Sequence, residues 1–482
     1  MTATPGAAEA PPTPGTPGTP APLPMPTTAP AAAPGRPFAR RVASVFGAKT
    51  IVFGVGLITT IVVNRLLGPN GKGAYVAVTA LPGMLGAIGL FGIPNAMNYF
   101  AARGASVRRL LLLSDVSAVV ISGAAIVLLW FALPVLETSI LSAVAENVGA
   151  AAGDTLLRLI LLAVPAIVIA GFVGPILYGR HEVRIYTTIM VGQALVTMFI
   201  LVLLVGVLRL GVPGAVLGTV TISTLGALAT LLAVMHVSRR HPDGAPVSTR
   251  SLFGYGLRAY PASITGFFNY RADTFIIQAL MLRSDGPLGL YSMAVTMAEL
   301  IFYIPDAVTT IFLPTVAGST AEEADAKLGR VSRLTMLATV SAAVALIPTA
   351  WVGIHLVLPK YVDCMPAFLV LLPGVVSLSL SKVLTSYVAG RGRPGPISVA
   401  AAITLALNLA ANVVLIPQFG IVGASAASLL SYTAMALMML FVACRLSGRS
   451  PFYLIVPGRA EFAAVRTVAL QVVARVRGKV GV

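Results

Sequence analysis

Two apolar runs, at 257–282 and 288–313, are joined by the short turn Arg283-Ser284-Asp285-Gly286-Pro287. Each is long enough to cross a bilayer, because about 20 helical residues rising 1.5 Å apiece cover the ~30 Å hydrocarbon core. Both carry charge at mid-membrane depth: Arg271 and Asp273 in the first, Glu299 and Asp306 in the second. A charge there costs at least ~2.5–3.5 kcal/mol and therefore faces a partner or a water-filled cavity. Arg271 and Glu299 lie at equal distances from the turn, roughly 18 Å deep on adjacent antiparallel helices. Matched depth predicts an intramembrane ion pair between them, shared with Asp273. Two roles stay open for these acids, neutralising a buried cation or, for Glu299, Asp273 and Asp306, carrying a coupling proton.

The rest of the chain is built the same way. Its 482 residues are 57% hydrophobic and 10% charged, which no soluble chain of that length needs. Apolar runs give twelve spans, at about 43–64, 75–101, 110–134, 156–178, 185–207, 212–236, 257–282, 288–313, 333–358, 364–388, 397–416 and 421–443. The expectation is an all-α, polytopic membrane protein. The net charge of +17 would point to nucleic acid in a soluble protein. Here the positives sit in connections and tails, where they set topology, so no nucleic-acid partner is expected. Connections after the even-numbered spans hold thirteen Lys and Arg, including Arg108, Arg109, Arg239, Arg240, Arg330 and Arg391. The alternate connections hold six, Lys72 among them, together with Glu137, Glu146, Asp154, Asp285 and Asp363. Positive-inside bias then puts both termini in the cytoplasm of a cytoplasmic-membrane protein.

The flanks differ from the spans. Residues 4–37 hold 12 of the 34 prolines and almost no charge, so 1–42 reads as a disordered tail without signal-peptide character. Residues 446–482 read as a basic cytoplasmic tail, either solvated or lying on anionic lipid. Cys364 and Cys444 fall at opposite ends of their helices and are not expected to pair.

Between the tails the chain repeats itself. Ser44-Val45-Phe46-Gly47 returns as Ser251-Leu252-Phe253-Gly254, Val164-Pro165 as Leu372-Pro373, and Gly179-Arg180 as Gly390-Arg391. Gly211-Val212-Pro213-Gly214-Ala215 likewise returns as Gly420-Ile421-Val422-Gly423-Ala424. The offsets stay within 207–211 residues, and six spans per half preserve orientation. Two parallel six-helix lobes follow, 43–240 and 251–445, around a central cavity. Pro94 and Pro305, and Pro165 and Pro373, interrupt corresponding spans, as packing kinks or as markers of a transport site. The Gly83, Gly86, Gly89, Gly92 stripe reads as close helix packing.

Catalytic chemistry finds little support. There is no phosphate-cradling Gly-x-x-x-x-Gly-Lys-Ser/Thr loop, and Gly68-Pro69-Asn70-Gly71-Lys72 has the wrong spacing in what reads as an outer loop. His181, His236, His241 and His355 lack metal-ligand spacing, so neither a metal nor a cofactor is expected. An integral-membrane glycosyltransferase or polymerase is the enzyme alternative; resemblance to known glycosyltransferases implies metal-holding or base acids in the first outer loop, and residues 68–73 have none.

Several junctions resemble one family. Arg65-Leu66-Leu67-Gly68-Pro69-Asn70-Gly71-Lys72-Gly73-Ala74-Tyr75 is similar to the Arg-x-Leu-Gly-Pro-x-Gly-x-Gly-x-Tyr junction of O-antigen-type polysaccharide flippases. These belong to the multidrug/oligosaccharidyl-lipid/polysaccharide (MOP) superfamily. Arg271-Ala272-Asp273-Thr274-Phe275-Ile276, Leu288-Gly289-Leu290-Tyr291-Ser292, Ala298-Glu299, Ile304-Pro305 and the stretch 408–424 resemble it as well, and the likeness spans about 43–445. The resemblance implies translocation of a polyprenyl-pyrophosphate-linked glycan by rocking two lobes, with membrane lipids, a polymerase and glycosyltransferases of the same pathway as partners. The alternative is a cation-coupled drug antiporter of that superfamily, although Asp115 is the one first-lobe acid that could serve it. A pyrophosphate in low dielectric needs charge-assisted donors, so the candidate substrate-binding cations are Arg271, Lys382, Arg258 and Lys49. Lys49 and Arg258 lie near the inner interface and could equally snorkel.

The charge asymmetry makes a direct prediction. In cells, a membrane-impermeant maleimide should label Asp154→Cys and Asp363→Cys from outside and leave Arg240→Cys unlabelled; outside labelling at 240 would overturn the topology.

Overall fold

The computed structural model describes residues 36–102, 104–136, 150–180, 182–240, 244, 246–280, 286–317, 319–458 and 461. The side chains of Lys49 and Arg258, most of the proline tract and the basic tail beyond 461 lie outside the described residues. Helices account for nearly all of the described chain. They are α1 (Arg36–Gly89), α2 (Ile93–Ala102), α3 (Val107–Leu136), α4 (Ala150–Leu161), α5 (Ala163–Gly179), α6 (Val183–Leu201) and α7 (Gly211–Arg240). After these come α8 (Thr249–Leu280), α9 (Gly286–Glu299), α10 (Tyr303–Ala317), α11 (Ala321–Val357), α12 (Met365–Gly390), α13 (Gly395–Ser447) and α14 (Pro451–Ile455). The first helix begins at Arg36, inside the stretch assigned above to the tail.

Nine helical stretches among the described residues are long and apolar enough to cross a membrane. Two of them are long enough to cross twice. α1 has 54 residues and α13 has 53, roughly 80 Å each at helical rise. Each breaks at a glycine with positive φ, Gly68 at 69° and Gly420 at 57°. This left-handed conformation costs a residue with a Cβ more than it costs glycine.

Interruptions also fall near the paired prolines. Phe91 and Gly92 leave the helix just before Pro94, and a 3-10 turn at Leu300–Phe302 precedes Pro305. Leu162 separates α4 from α5 ahead of Pro165. α12 by contrast runs unbroken through Pro373.

The sequence repeat has a physical counterpart at several points. A Cβ on Gly179 would stand 2.6 Å from Ala101 Cβ, and one on Gly390 would stand 2.7 Å from Val316 Cγ1. Glycine thus lets α5 close on α2 and α12 close on α10. The next residue does the same work in each half. The Arg180 guanidinium donates to the Ala105 carbonyl in one inter-helix connection, and Arg391 donates to the Ala321 carbonyl at 3.2 Å in the other. Arg391 also pairs with Asp325 at 2.7 Å. Gly214 and Gly423 each admit the carbonyl of a preceding helical turn, Leu204 and Leu415 respectively.

The two halves touch at both ends of their interface. At one end α1 packs on α9, where a Cβ on Gly289 would overlap the Pro69 carbonyl and one on Gly286 would stand 2.7 Å from Asn70 Oδ1. Tyr361 there donates to the Asn64 carbonyl at 3.2 Å. At the other end α2 packs on α8. Gly92 meets the Gly256 carbonyl, Tyr260 donates to the Ile88 carbonyl at 3.0 Å, and Tyr99 stacks on Tyr255 at 4.5 Å. Of the glycine stripe, Gly86 and Gly89 pack on Ile167 and Ile121, as close packing requires. Gly83 has open space instead.

Overpacking at such a contact costs about 1–3 kcal/mol. Gly289→Ala should lower the thermal midpoint in detergent, whereas Gly54→Ala, with nothing within 4 Å of the new methyl, should leave it unchanged or raise it slightly.

Candidate functional site

Between the two contact zones lies a cavity of about 320 Å³. The part of α1 after its break supplies Lys72, Tyr75, Val76, Thr79, Ala80 and Gly83. The second half supplies Phe267, Arg271, Asp273, Thr274 and Phe275 from α8, and Tyr291, Ser292, Val295 and Thr296 from α9. One cation therefore comes from each half. Arg271 is more than one-third exposed and turns into this space. Lys72 lies over the Tyr75 ring, 5.3 Å from its centroid.

Most of the neutral polar lining is held in place. Tyr75 Oη and Thr219 Oγ1 are 2.9 Å apart. Thr79 and Thr296 return their hydroxyls to the Tyr75 and Ser292 carbonyls, both at 2.7 Å. Asp273, 6% exposed, accepts from the Thr274 amide at 2.8 Å and from the Tyr291 hydroxyl. Tyr291 is itself 1% exposed, so the carboxylate is fixed from the protein side while it borders the cavity.

Lys72 is a correction to the sequence reading. It had been counted with an outer connection. The helix instead resumes immediately after Gly68, which turns Lys72 inward. The Gly-Pro signature marked the break without revealing how short it is.

The expected contact between Arg271 and Glu299 is a second correction: the two side chains form no ion pair. Glu299 is partly buried and feels Arg271, Asp273 and Lys382 electrostatically. The close pair is Lys382 with Asp306, at 2.7 Å. Lys382 also sits 4.1 Å from the Phe302 ring centroid and is absent from the cavity lining. Equal residue counts from the turn predict one level for Arg271 and Glu299, but a shared level does not bring two side chains within ion-pair distance. Beside this column, Tyr303 meets Phe53 of the other half edge to face at 4.5 Å.

One polar cluster escaped the sequence reading. Asn408, Asn412, Ser425, Ser428 and Ser431 are all buried in α13. Asn408 donates to Ser431 at 3.1 Å, and Asn412 donates to Asn408 Oδ1 at 3.0 Å. Spaced four residues apart in an apolar run, the two asparagines were a legible signal of one buried helix face. Cys364 and Cys444 are unpaired.

Such a bundle of long apolar helices, with a cavity of mixed polar and apolar lining between its halves, shares its fold with solved polytopic MOP-superfamily transporters. The chain matches solved structures of a lipid II flippase, MurJ, in an inward closed conformation (TM-score 0.68, 14% identity, 82% of this chain and 87% of that one). It also matches an outward-facing multidrug resistance MATE transporter of the MOP superfamily (TM-score 0.57, 15% identity, 85% and 96%). A MOP-superfamily transporter from Pyrococcus furiosus, described as having a binding pocket of reversed polarity, matches too (TM-score 0.57, 14% identity, 85% and 97%).

Within that class, the chain belongs to the polysaccharide biosynthesis protein family, which it matches over residues 38–317. A curated relative, the probable low-salt glycan biosynthesis flippase Agl15 of Haloferax volcanii, is 27% identical over 194 residues, 38% of this chain and 40% of the relative. The matched segment thus spans less than half of that protein.

The Asp273–Tyr291 pair can be tested alone. Removing one partner of a buried hydrogen bond costs about 1–3 kcal/mol. Tyr291→Phe and Asp273→Asn should each lower the thermal midpoint, and a double-mutant cycle should show a coupling of about 0.5–3 kcal/mol. Strict additivity would show that the two do not act as a pair.

Proposed function

We propose that this protein is a flippase that carries a polyprenyl-pyrophosphate-linked oligosaccharide across the cytoplasmic membrane for cell-surface polysaccharide synthesis. One observation carries the reading, the cavity between the halves that receives a cation from each of them, Lys72 and Arg271. A pyrophosphate leaving water needs charge-assisted donors. Arginine offers a planar fork for phosphate oxygens and lysine a point charge. Cations on opposite walls allow the headgroup to be passed from one half to the other when the halves move. The glycan name of the Agl15 relative and the lipid-substrate name of MurJ support the same reading.

The transport cycle needs two rigid bodies. We take them to be six-helix lobes, 43–240 and 251–445, with twelve crossings and both termini in the cytoplasm. The breaks at Gly68 and Gly420 and the repeated Gly-Arg anchors at Gly179-Arg180 and Gly390-Arg391 support this division. Glu299, Asp306 and Asp273 are the candidate coupling acids, and Lys382 positions Asp306 through their ion pair. Lys49 and Arg258 remain candidate headgroup ligands on α1 and α8. In this reading the protein has no catalytic group of its own. It works beside the glycosyltransferases that build its substrate and the polymerase that consumes it.

The test is complementation of a strain lacking its own lipid-linked-glycan flippase. Lys72→Ala and Arg271→Ala should each reduce surface glycan, and the double variant should abolish it, at unchanged membrane levels of the protein. Arg271→Lys should restore part of the activity, because it returns charge without the fork. Full activity in the double alanine variant would overturn the cationic cavity and favour a cation-coupled antiporter.

A further inference from the structure

On the flank of the second half, α13 folds back at Gly420, so its first turns lie beside its last. Pro396, Val399 and Ala400 face Leu437, Met438 and Phe441 across a groove of about 510 Å³, and no side chain lining it is polar. The groove shares no lining residue with the central cavity. Val399, Leu437 and Phe441 are 59%, 61% and 60% exposed, so their faces meet bilayer rather than protein.

Three arginines flank the two ends of α13, whose first and last turns form the groove. Arg393 stands two residues before α13, Arg445 is in its last turn, and Arg449 follows its C-cap; all three are exposed. None is paired with a carboxylate among the described residues. The nearby acids are already held elsewhere, Asp325 by Arg391 at 2.7 Å and Glu461 by Arg333 at 2.8 Å. Two of the guanidinium groups are steadied on rings, Arg445 over Phe441 at 4.9 Å and Arg449 over Tyr453 at 5.1 Å. Phe441 and Leu437 lie four and eight residues before Arg445, roughly 6 and 12 Å along the axis. The cations therefore stand at the interface, and the apolar trough begins where the first acyl carbons of a lipid would lie.

We propose that this groove holds a resident anionic phospholipid, its phosphate on Arg393, Arg445 and Arg449 and one acyl chain in the trough between the two ends of α13. Charge complementarity fixes the headgroup class, since three unpaired guanidinium groups favour an anionic over a zwitterionic lipid. Separation from the central cavity makes the occupant a bound lipid rather than cargo. The proposal rests on the membrane-embedded fold alone and stands or falls independently of the substrate assigned above.

The test uses the full chain in phosphatidylcholine nanodiscs doped with phosphatidylglycerol that bears a photoreactive group on one acyl chain. After illumination, peptide mass spectrometry should place the label within 395–400 and 437–442. The exposed triple variant Arg393→Ala, Arg445→Ala, Arg449→Ala should fold with an unchanged thermal midpoint and lose labelling at least about tenfold. Val399→Phe, which fills the trough, should remove it as well. Equal labelling by the same probe on a phosphatidylcholine headgroup, or full labelling of the triple variant, would overturn the proposal. Displacement of the label by an isoprenoid phosphate in preference to phosphatidylglycerol would also overturn it, because the groove would then receive the carrier lipid.

Discussion

Hydrocarbon solvates neither charge nor unpaired backbone, and that constraint organises this molecule. Several of the polar groups within its spans meet a partner or the central cavity. Asp273 is held by Tyr291 and a backbone amide. Lys382 is neutralised by Asp306, and Asn412 donates to Asn408 within the same helix. Arg271 has no paired carboxylate among the described residues, and it opens onto the cavity. The unpaired charge and the polar space occur together because a guanidinium without a counter-ion must stay near water or an anionic ligand.

Glycine does the complementary work. Where two halves or two helices must come within backbone distance, the chain places a residue with no Cβ, at Gly289 against Pro69 and at Gly92 against Gly256. These contacts hold the two halves together at two separate places. Backbone-to-backbone contacts of this kind are short-ranged and few, so a modest rotation of one half can break one set while the other holds. That property suits a carrier whose cavity must open to alternating sides, and the breaks next to Pro94 and Pro305 lie on the helices that line this interface.

The architecture was legible in the sequence to different depths. Apolar run length announced the helices, and the repeated Gly-Arg and Gly-x-x-Gly-Ala junctions coincide with comparable glycine contacts at Gly179 and Gly390 and at Gly214 and Gly423. Arg271 and Asp273 were singled out by charge at depth, and both line the cavity. Lys72 was missed because a lysine four residues after a Gly-Pro break reads as part of a loop. The helix register after Gly68 decides otherwise.

By itself the sequence determined the class of solvent and the positions of the breaks, because the transfer cost of each residue and the φ freedom of glycine are local properties. It also singled out the charges that interrupt apolar runs. What it left undecided was which of those charges meet. Glu299 and Arg271 share a depth but form no pair, while Lys382 and Asp306, 76 residues apart, lie 2.7 Å apart. Depth follows from counting residues along one helix. Contact depends on the rotation of each helix about its own axis, and packing against neighbours sets that rotation only when the helices are assembled.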